Sequence, residues 1–420
     1  MSSPTAVPVE FPVVFDPYTV PIDAVDGGRG DLFFEDAQWP HFRRLREEDP
    51  VHWHASSPFG PYWSITRYHD IKHVDMHHEI FSSAQGISIF DGAADFRTPM
   101  FIAMDPPTHD VQRKAVAPVA GPRNLAALES TIRARVAAIL DDLPRHETFN
   151  WVERVSIELT TQMLATLFDF PFDERRKLTR WSDVATNGPG SGVVNSIEER
   201  RAELLACLAR FTELWHERAA LPTPGNDLIS MLAHGAATRD MITRPMEYLG
   251  NLMLLIVGGN DTTRNSISGG VLALNQFPGE YDKLRANPGL IPNMVAEIIR
   301  WQTPLTHMRR TALTDTTLGG KTIRAGDKVV MWYVSGNRDH AVFDDPDAFI
   351  IDRPNARSHM SFGFGIHRCM GNRVGEMQLR ILWEEIQKRF HKVELVGQPV
   401  RTRHVFIRGF TELPVRLIPL

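Results

Sequence analysis

Ser361-Phe-Gly-Phe-Gly-Ile-His-Arg-Cys-Met-Gly371 is the most informative stretch of the chain. Its cysteine, Cys369, stands directly before a segment of helical periodicity that begins near Asn372. A helix N-terminus offers unpaired N–H groups and partial positive charge, which favour thiolate over thiol. Gly363 and Gly365 let the backbone turn tightly and come close to a flat ligand. Phe362 is placed to pack beside the sulfur and keep water out. His367 is placed to reach a carboxylate on the rim of a bound macrocycle. A structural glycine loop around an inert thiol is the competing reading of this segment alone. A zinc site wants three or four ligands at characteristic spacing, but His367 and Cys369 have no CxxC companion and Cys207 is remote in sequence. A CxxCH attachment motif is absent.

The surroundings of this loop narrow the function classes. With 420 residues, 43% of them hydrophobic, the chain can bury a large core. Its 46 basic and 51 acidic residues give a net charge of -5, with no basic excess to suggest nucleic acid. Two cysteines make no disulfide framework, which points to a reducing compartment, here the cytoplasm. The first residues lack a basic start followed by an apolar run, so no signal peptide is expected. The longest apolar runs are short and broken by glycine, so no membrane anchor is expected.

Outward from the loop, periodicity predicts a mainly α chain with a minor β region, organised as one domain over 1–420. Residues 1–40 read as an irregular arm and about 40–48 as a short helix. Two strands are expected within about 51–68, around Pro58-Phe-Gly-Pro61. Helices are expected at about 123–142, 150–168, 197–219, 245–276, 289–301 and 372–391. Strands recur at about 318–335 and 393–420, and with 51–68 they are expected to form one small sheet region. Asn187-Gly-Pro-Gly-Ser-Gly192 and Leu221-Pro-Thr-Pro-Gly-Asn226 read as loops, and 336–371 as a meander.

Three further constellations carry chemistry. The 245–276 helix contains Gly258-Gly259, and each mid-helix glycine costs about 1 kcal/mol relative to alanine. Close packing on a neighbouring helix is one reason for the pair, and close approach of a cofactor is the other. Thr262 is spaced to bond the Gly258 carbonyl and loosen that turn. Glu297 and Arg300 share a helix face, by default as a solvated pair. Asp105-Pro-Pro107 suits a helix start, and His109 and Arg113 then share a face, by default a solvated one.

Phe362-Gly363-x-Gly365-x-His367-x-Cys369-x-Gly371 resembles the haem-binding signature of the cytochrome P450 family, and the resemblance extends over about residues 40–415. It implies a helical prism around haem b, with Cys369 as the axial ligand of the iron. Such a thiolate pushes electron density toward the metal and favours O–O cleavage. It implies that His109, Arg113 and Arg310 hold the haem propionates, Arg309 being solvated or part of a neighbouring network. Gly258-Gly259-Asn260-Asp261-Thr262 resembles the family's oxygen-binding motif, with Asp261 and Thr262 as the acid–alcohol pair that delivers protons during dioxygen activation. Glu297, Arg300 and Arg353, the last after Asn337-Arg-Asp339, resemble a buried network that anchors the cysteine loop. The implied reaction consumes substrate, O2, two electrons and two protons, and yields hydroxylated substrate and water. Electrons are expected from NAD(P)H through a flavoprotein reductase and a ferredoxin, steered to Lys114, Arg368, Arg373 and Arg380. Leu255-Ile-Val-Gly-Gly-Asn-Asp-Thr-Thr-Arg-Asn265 and Leu305-Thr-His-Met-Arg-Arg310 are similar to the bacterial branch that hydroxylates the terminal carbon of n-alkanes and medium-chain fatty acids. Ile87, Ile89, Phe90, Leu255, Leu305, Val405 and Phe406 are the expected walls for a small apolar substrate. A steroid or branched-lipid side-chain hydroxylase is the alternative, and such enzymes typically carry Glu where this chain has Asp261. A peroxygenase would replace the acid–alcohol pair, and a non-catalytic haem sensor or electron carrier would not need it.

Overall fold

Residues 14–420 are described by the computed structural model, so the start of the arm, 1–13, lies outside the described residues. In chain order the helices are α1 (Gly30–Phe34), α2 (Trp39–Glu48), α3 (Tyr68–Met76), α4 (Thr108–Val116), α5 (Pro122–Asp141), α6 (Glu158–Phe168) and α7 (Arg176–Thr186). They continue as α8 (Ile197–Ala219), α9 (Leu228–His234), α10 (Pro245–Gln276), α11 (Pro278–Ala286), α12 (Ile291–Gln302), α13 (Tyr333–Gly336) and α14 (Asn372–Arg389). The strands are β1 (Val51–His54), β2 (Tyr62–Ile65), β3 (Phe81–Ser82), β4 (Phe149–Asn150), β5 (Met308–Ala312) and β6 (Thr316–Leu318). After them come β7 (Lys321–Ile323), β8 (Lys328–Met331), β9 (Phe390–Leu395), β10 (Val400–Arg401), β11 (Phe410–Glu412) and β12 (Pro414–Pro419).

The long helices match their sequence periodicity closely. Predicted 197–219 and 245–276 coincide with α8 and α10, and predicted 150–168 is a π-helical turn, Val152–Ile157, running into α6. Local chemistry marks the ends. Ser196 accepts the Glu199 N–H at 3.0 Å while Glu199 reaches back to the Asn195 N–H at 2.7 Å, so α8 starts on reciprocal caps. Pro245 opens α10, where its missing N–H costs nothing.

Two expectations need correction. The strands do not form one region. A five-stranded sheet, β1-β2-β8-β5-β3, is separate from the three-stranded β4-β12-β9 and from the hairpins β6-β7 and β10-β11. The C-terminal strands choose β4 because Val415 pairs across to Phe149, a non-local contact that strand periodicity does not encode. The arm is also more ordered than expected from 14 onward. It holds two 3-10 turns and α1, and buries Leu32 and Phe33 against the body.

The core is built around α10. Its second half, including Ile267, Val271, Leu272 and Leu274, packs with α5, α12, α14 and the three-stranded sheet. Its first half, including Tyr248, Leu252 and Ile256, packs with α6, α7, α8 and α9. Each such side chain contributes about 1.5–3 kcal/mol of burial. Between the two halves, Val257, Gly258 and Thr262 face a cavity instead. Among the described residues no helix is long and apolar enough to cross a membrane.

Buried histidines make this core acid-sensitive. Burial holds His307 down to about 3, His359 to about 3 and His54 to about 4. The backbone N–H of Ile89 donates to His307 Nε2 at 3.0 Å, so a proton on that nitrogen would displace a donor. These folded-state values lie below the ordinary histidine value of about 6.5, so the unfolded chain binds more protons in between. Their stability is therefore complete above about pH 6.5 and falls as pH drops toward 4, by about 1.4 kcal/mol per unit for each histidine. Urea midpoints at pH 7.5 and pH 5 test this. A marked drop at pH 5 is expected, and equal midpoints would contradict it.

Candidate active site

A cavity of about 1840 Å³ opens beside the exposed middle of α10. Ligand pockets are typically about 300–1,000 Å³, so this one has room for a large planar group and a substrate together. Cys369, Phe362, Gly363, His367, Arg113, Arg310, Gly258, Gly259 and Thr262 all line it. The Cys369 side chain lies deep in the molecule, yet its sulfur is uncovered, because the surface it presents belongs to this cavity.

The loop geometry explains the sequence pattern. Gly363 and Gly365 both adopt left-handed backbone, with φ of 65° and 63°. At Gly365 an added Cβ would sit 2.7 Å from the Asp75 carbonyl, so this glycine serves an approach to α3. Gly365 was expected to let the loop approach a flat ligand; of the two, only Gly363 lines the cavity. The Cys369 N–H donates to the Phe362 carbonyl at 2.7 Å and closes the loop. Burial pushes the Cys369 thiol up. The N–H groups of Gly371 and Asn372 at the start of α14, with Arg113 and Arg368, oppose that shift without cancelling it. The helix terminus alone therefore does not secure a thiolate here; a bound metal cation would add the missing positive charge.

The two α10 glycines have different reasons. A Cβ on Gly259 would meet Leu164 Cδ2 at 2.7 Å, so this residue lets α6 pack closely. A Cβ on Gly258 would meet nothing within 4 Å, because that side is cavity. The Thr262 hydroxyl donates to the Gly258 carbonyl at 2.9 Å, as its spacing implied. Asp261 does not line the cavity. Its carboxylate, 1% exposed, pairs with Arg264 and accepts from Ser182 Oγ at 3.0 Å. Arg264 also holds Asp183 at 3.1 Å, and burial and the Asp261 charge raise the Asp183 carboxyl. Helix α7, which supplies Ser182 and Asp183, was not anticipated, although Leu178, Trp181 and Ala185 carry its periodicity.

The fit to haem rests on unsatisfied groups. Buried polar atoms normally have partners, yet both ring nitrogens of His367 and Nε2 of His109 have none within the protein. The two rings lie edge to face at 4.5 Å, with His109 behind His367 and off the cavity wall. Burial, then Arg310 and His109, hold His367 down to about 2. Arg113 donates to the Arg368 carbonyl and Arg310 pairs with Asp75 at 2.7 Å, and both residues line the cavity. A soft sulfur, a glycine-thinned helix and this donor rim suit a haem carrying carboxylates. Asp105 does not cap α4. It accepts from Ser83 N at 3.1 Å and from the Ser82 hydroxyl instead.

Glu297 and Arg300 are fully buried, with Nε–Oε2 and Nη2–Oε1 both at 2.7 Å. Arg353 reaches the same carboxylate at 3.1 Å, and the Ile350 N–H adds a bond at 3.0 Å. Arg300 continues to the Asn337 carbonyl at 2.8 Å, and Asn337 bonds Ser361 Oγ and Met360 N at 2.8 Å each. The network thus runs bond by bond into the cysteine loop.

Of the expected pocket walls, Ile87, Phe90, Leu255, Leu305, Val405 and Phe406 line the cavity. Ile89 does not. It is fully buried among Phe42, Tyr62 and Trp332 while Ile87, Ser88 and Phe90 around it line the cavity, its backbone held by His307 Nε2 at 3.0 Å and Lys328 Nζ at 3.1 Å. Arg309 pairs with Asp91 at 2.5 Å. Lys114, Arg368 and Arg373 are exposed near the loop, but Arg380 is taken by Glu129 and Glu384 at 3.0 and 2.7 Å.

Comparison with known proteins gives a consistent picture. The family model for cytochrome P450 matches residues 214–406. Linalool 8-monooxygenase of Pseudomonas putida is 36% identical, over 93% of this chain and 98% of that one. The methyl-branched lipid omega-hydroxylase of Mycobacterium tuberculosis is 29% identical, over 95% and 96%. Among solved structures, cytochrome P450-153 from Novosphingobium aromaticivorans is 46% identical with a TM-score of 0.87, over 93% and 99%.

Proposed function

The chain belongs to the cytochrome P450 family and is a monooxygenase, and on that premise we propose that it hydroxylates the terminal carbon of linear alkanes or medium-chain fatty acids. The observation that carries this reading is one cavity lined by the Cys369 sulfur, Thr262 and the apolar wall Leu255, Leu305, Val405 and Phe406.

In this reading Cys369 would hold the iron of haem b, and Arg113, Arg310 and His367, with His109 packed behind it, would hold its carboxylates. Haem bound there supplies dioxygen activation, one oxygen atom entering the substrate and the other leaving as water. Gly258 leaves this side of α10 open to the cavity that would hold the cofactor. The Thr262 hydroxyl, parked on the Gly258 carbonyl, is the group that holds a proton at the cavity. Asp261 would relay protons to it from water, taking up one proton and passing it on, which requires the carboxylate to rotate away from Arg264 and Ser182. The family uses an electron-transfer partner. We assign this role to a ferredoxin reduced by an NAD(P)H-dependent flavoprotein, docking at Lys114, Arg368 and Arg373 in the cytoplasm. A steroid or branched-lipid side chain is the second reading, favoured by the name of the M. tuberculosis relative.

An apolar wall grips a linear chain through burial, about 0.8 kcal/mol per methylene. Affinity should therefore rise about fourfold with each added carbon until the channel is full. Titrating ferric protein with alkanes, fatty acids and sterols, followed by the high-spin spectral shift, tests this. The shift is expected with octane and medium-chain acids. A response to sterols alone would transfer the assignment to the second reading.

A further inference from the structure

We propose that Asp75 is a positioning residue for the haem site, its one buried carboxylate holding Arg310 and the cysteine loop together and setting the charge that the cofactor meets. This rests on the haem reading of Cys369 given above.

Asp75 lies one residue before the end of α3, and its side chain is 1% exposed. It accepts three bonds from three separate segments. Arg310 Nη2, from β5, donates to Oδ1 at 2.7 Å. Tyr333 Oη, from α13, donates to Oδ2 at 2.7 Å. The Phe364 N–H, from the cysteine loop itself, donates to the same oxygen at 2.7 Å. The loop is shaped around this residue: a Cβ on Gly363 would sit 3.1 Å from Asp75 Oδ2, and one on Gly365 2.7 Å from its carbonyl. A side chain at either glycine would push the loop off α3.

The charges give the carboxylate a second consequence. Arg310 is 2% exposed, lines the cavity, and spends Nη1 on the Arg309 carbonyl at 2.8 Å. Its positive charge is thus shared between Asp75 and whatever anion the cavity holds. Arg113 also lines this cavity, and the carboxylate that acts on it, Asp110, faces His109 at 2.7 Å. Asp75 is therefore the buried anion that offsets Arg310. Charges in a water-poor interior act at longer reach than at a surface, so the Asp75 charge should be felt in the electron affinity of the cofactor.

Spectroelectrochemical titration of the purified holoprotein tests this with two variants of opposite sign. Asp75→Asn removes the anion and should move the haem reduction potential positive. Tyr333→Phe removes one donor, leaves the carboxylate less compensated, and should move the potential negative with the ring packing kept. Asp75→Glu keeps the charge and should stay closer to wild type than Asp75→Asn. If Asp75→Asn does not retain haem, Tyr333→Phe decides. Unmoved potentials, or shifts of the same sign in both variants, would overturn the role even if melting temperatures fall. The ferrous carbon-monoxide spectrum separates this from failure of the premise. A wild-type protein lacking the thiolate band refutes the haem reading, whereas unmoved potentials with that band intact refute Asp75 alone.

Discussion

Cys369→Ser is expected to leave a folded protein with no monooxygenase turnover. The substitution is nearly isosteric, and the backbone bond from residue 369 to the Phe362 carbonyl is independent of the side chain. The rim of Arg113, Arg310 and His367 would also remain. What goes is the sulfur, the one ligand that can both charge and donate strongly to iron; a serine hydroxyl stays protonated and donates weakly. Loss of a group that takes direct part in the chemistry costs on the order of 10⁴ in rate or more. Turnover with ferredoxin, its reductase and NAD(P)H measures the loss. Retention of even a tenth of wild-type hydroxylation would place the chemistry elsewhere.

Glu297→Ala should cost stability rather than chemistry, and the cost should be large. Its carboxylate is fully buried between Arg300 and Arg353. Removing it strands two buried guanidinium groups, a loss of about 3–5 kcal/mol. A domain has only about 5–15 kcal/mol in total. Because Arg300 leads through Asn337 to Ser361, the damage should reach the cysteine loop first. The variant is expected to purify with little haem and a lowered unfolding midpoint. Full haem content with an unchanged midpoint would show that the network does not anchor the loop.

The local chemistry of the cofactor loop was legible because its demands are local. Two left-handed glycines, an aromatic residue, a histidine and a cysteine before a helix must lie at fixed offsets along one short segment. The long helices were legible for the same reason, since a 3.6-residue period repeats over many turns in α8 and α10. What escaped was set by distant partners. Asp75 is a single acid on an ordinary helix, and only the fold brings β5, α13 and the loop to it. Asp261 adjoins Thr262 in sequence, yet it does not share the cavity with it. Its direction depends on Arg264 and on α7, an element whose charged composition masked its short apolar stripe. Ile89 is buried while Ile87 and Phe90 on either side line the cavity, because distant His307 and Lys328 hold its backbone, which local sequence does not encode. Arg380 looked like a free cation until Glu129, 251 residues away, was found against it.

One recording bears most directly on the account as a whole: the absorption spectrum of the wild-type protein, reduced and exposed to carbon monoxide. A thiolate bond from Cys369 to haem iron predicts the strongly red-shifted Soret band. A band at the position given by a neutral or histidine ligand, in fully haem-loaded and active protein, would contradict it.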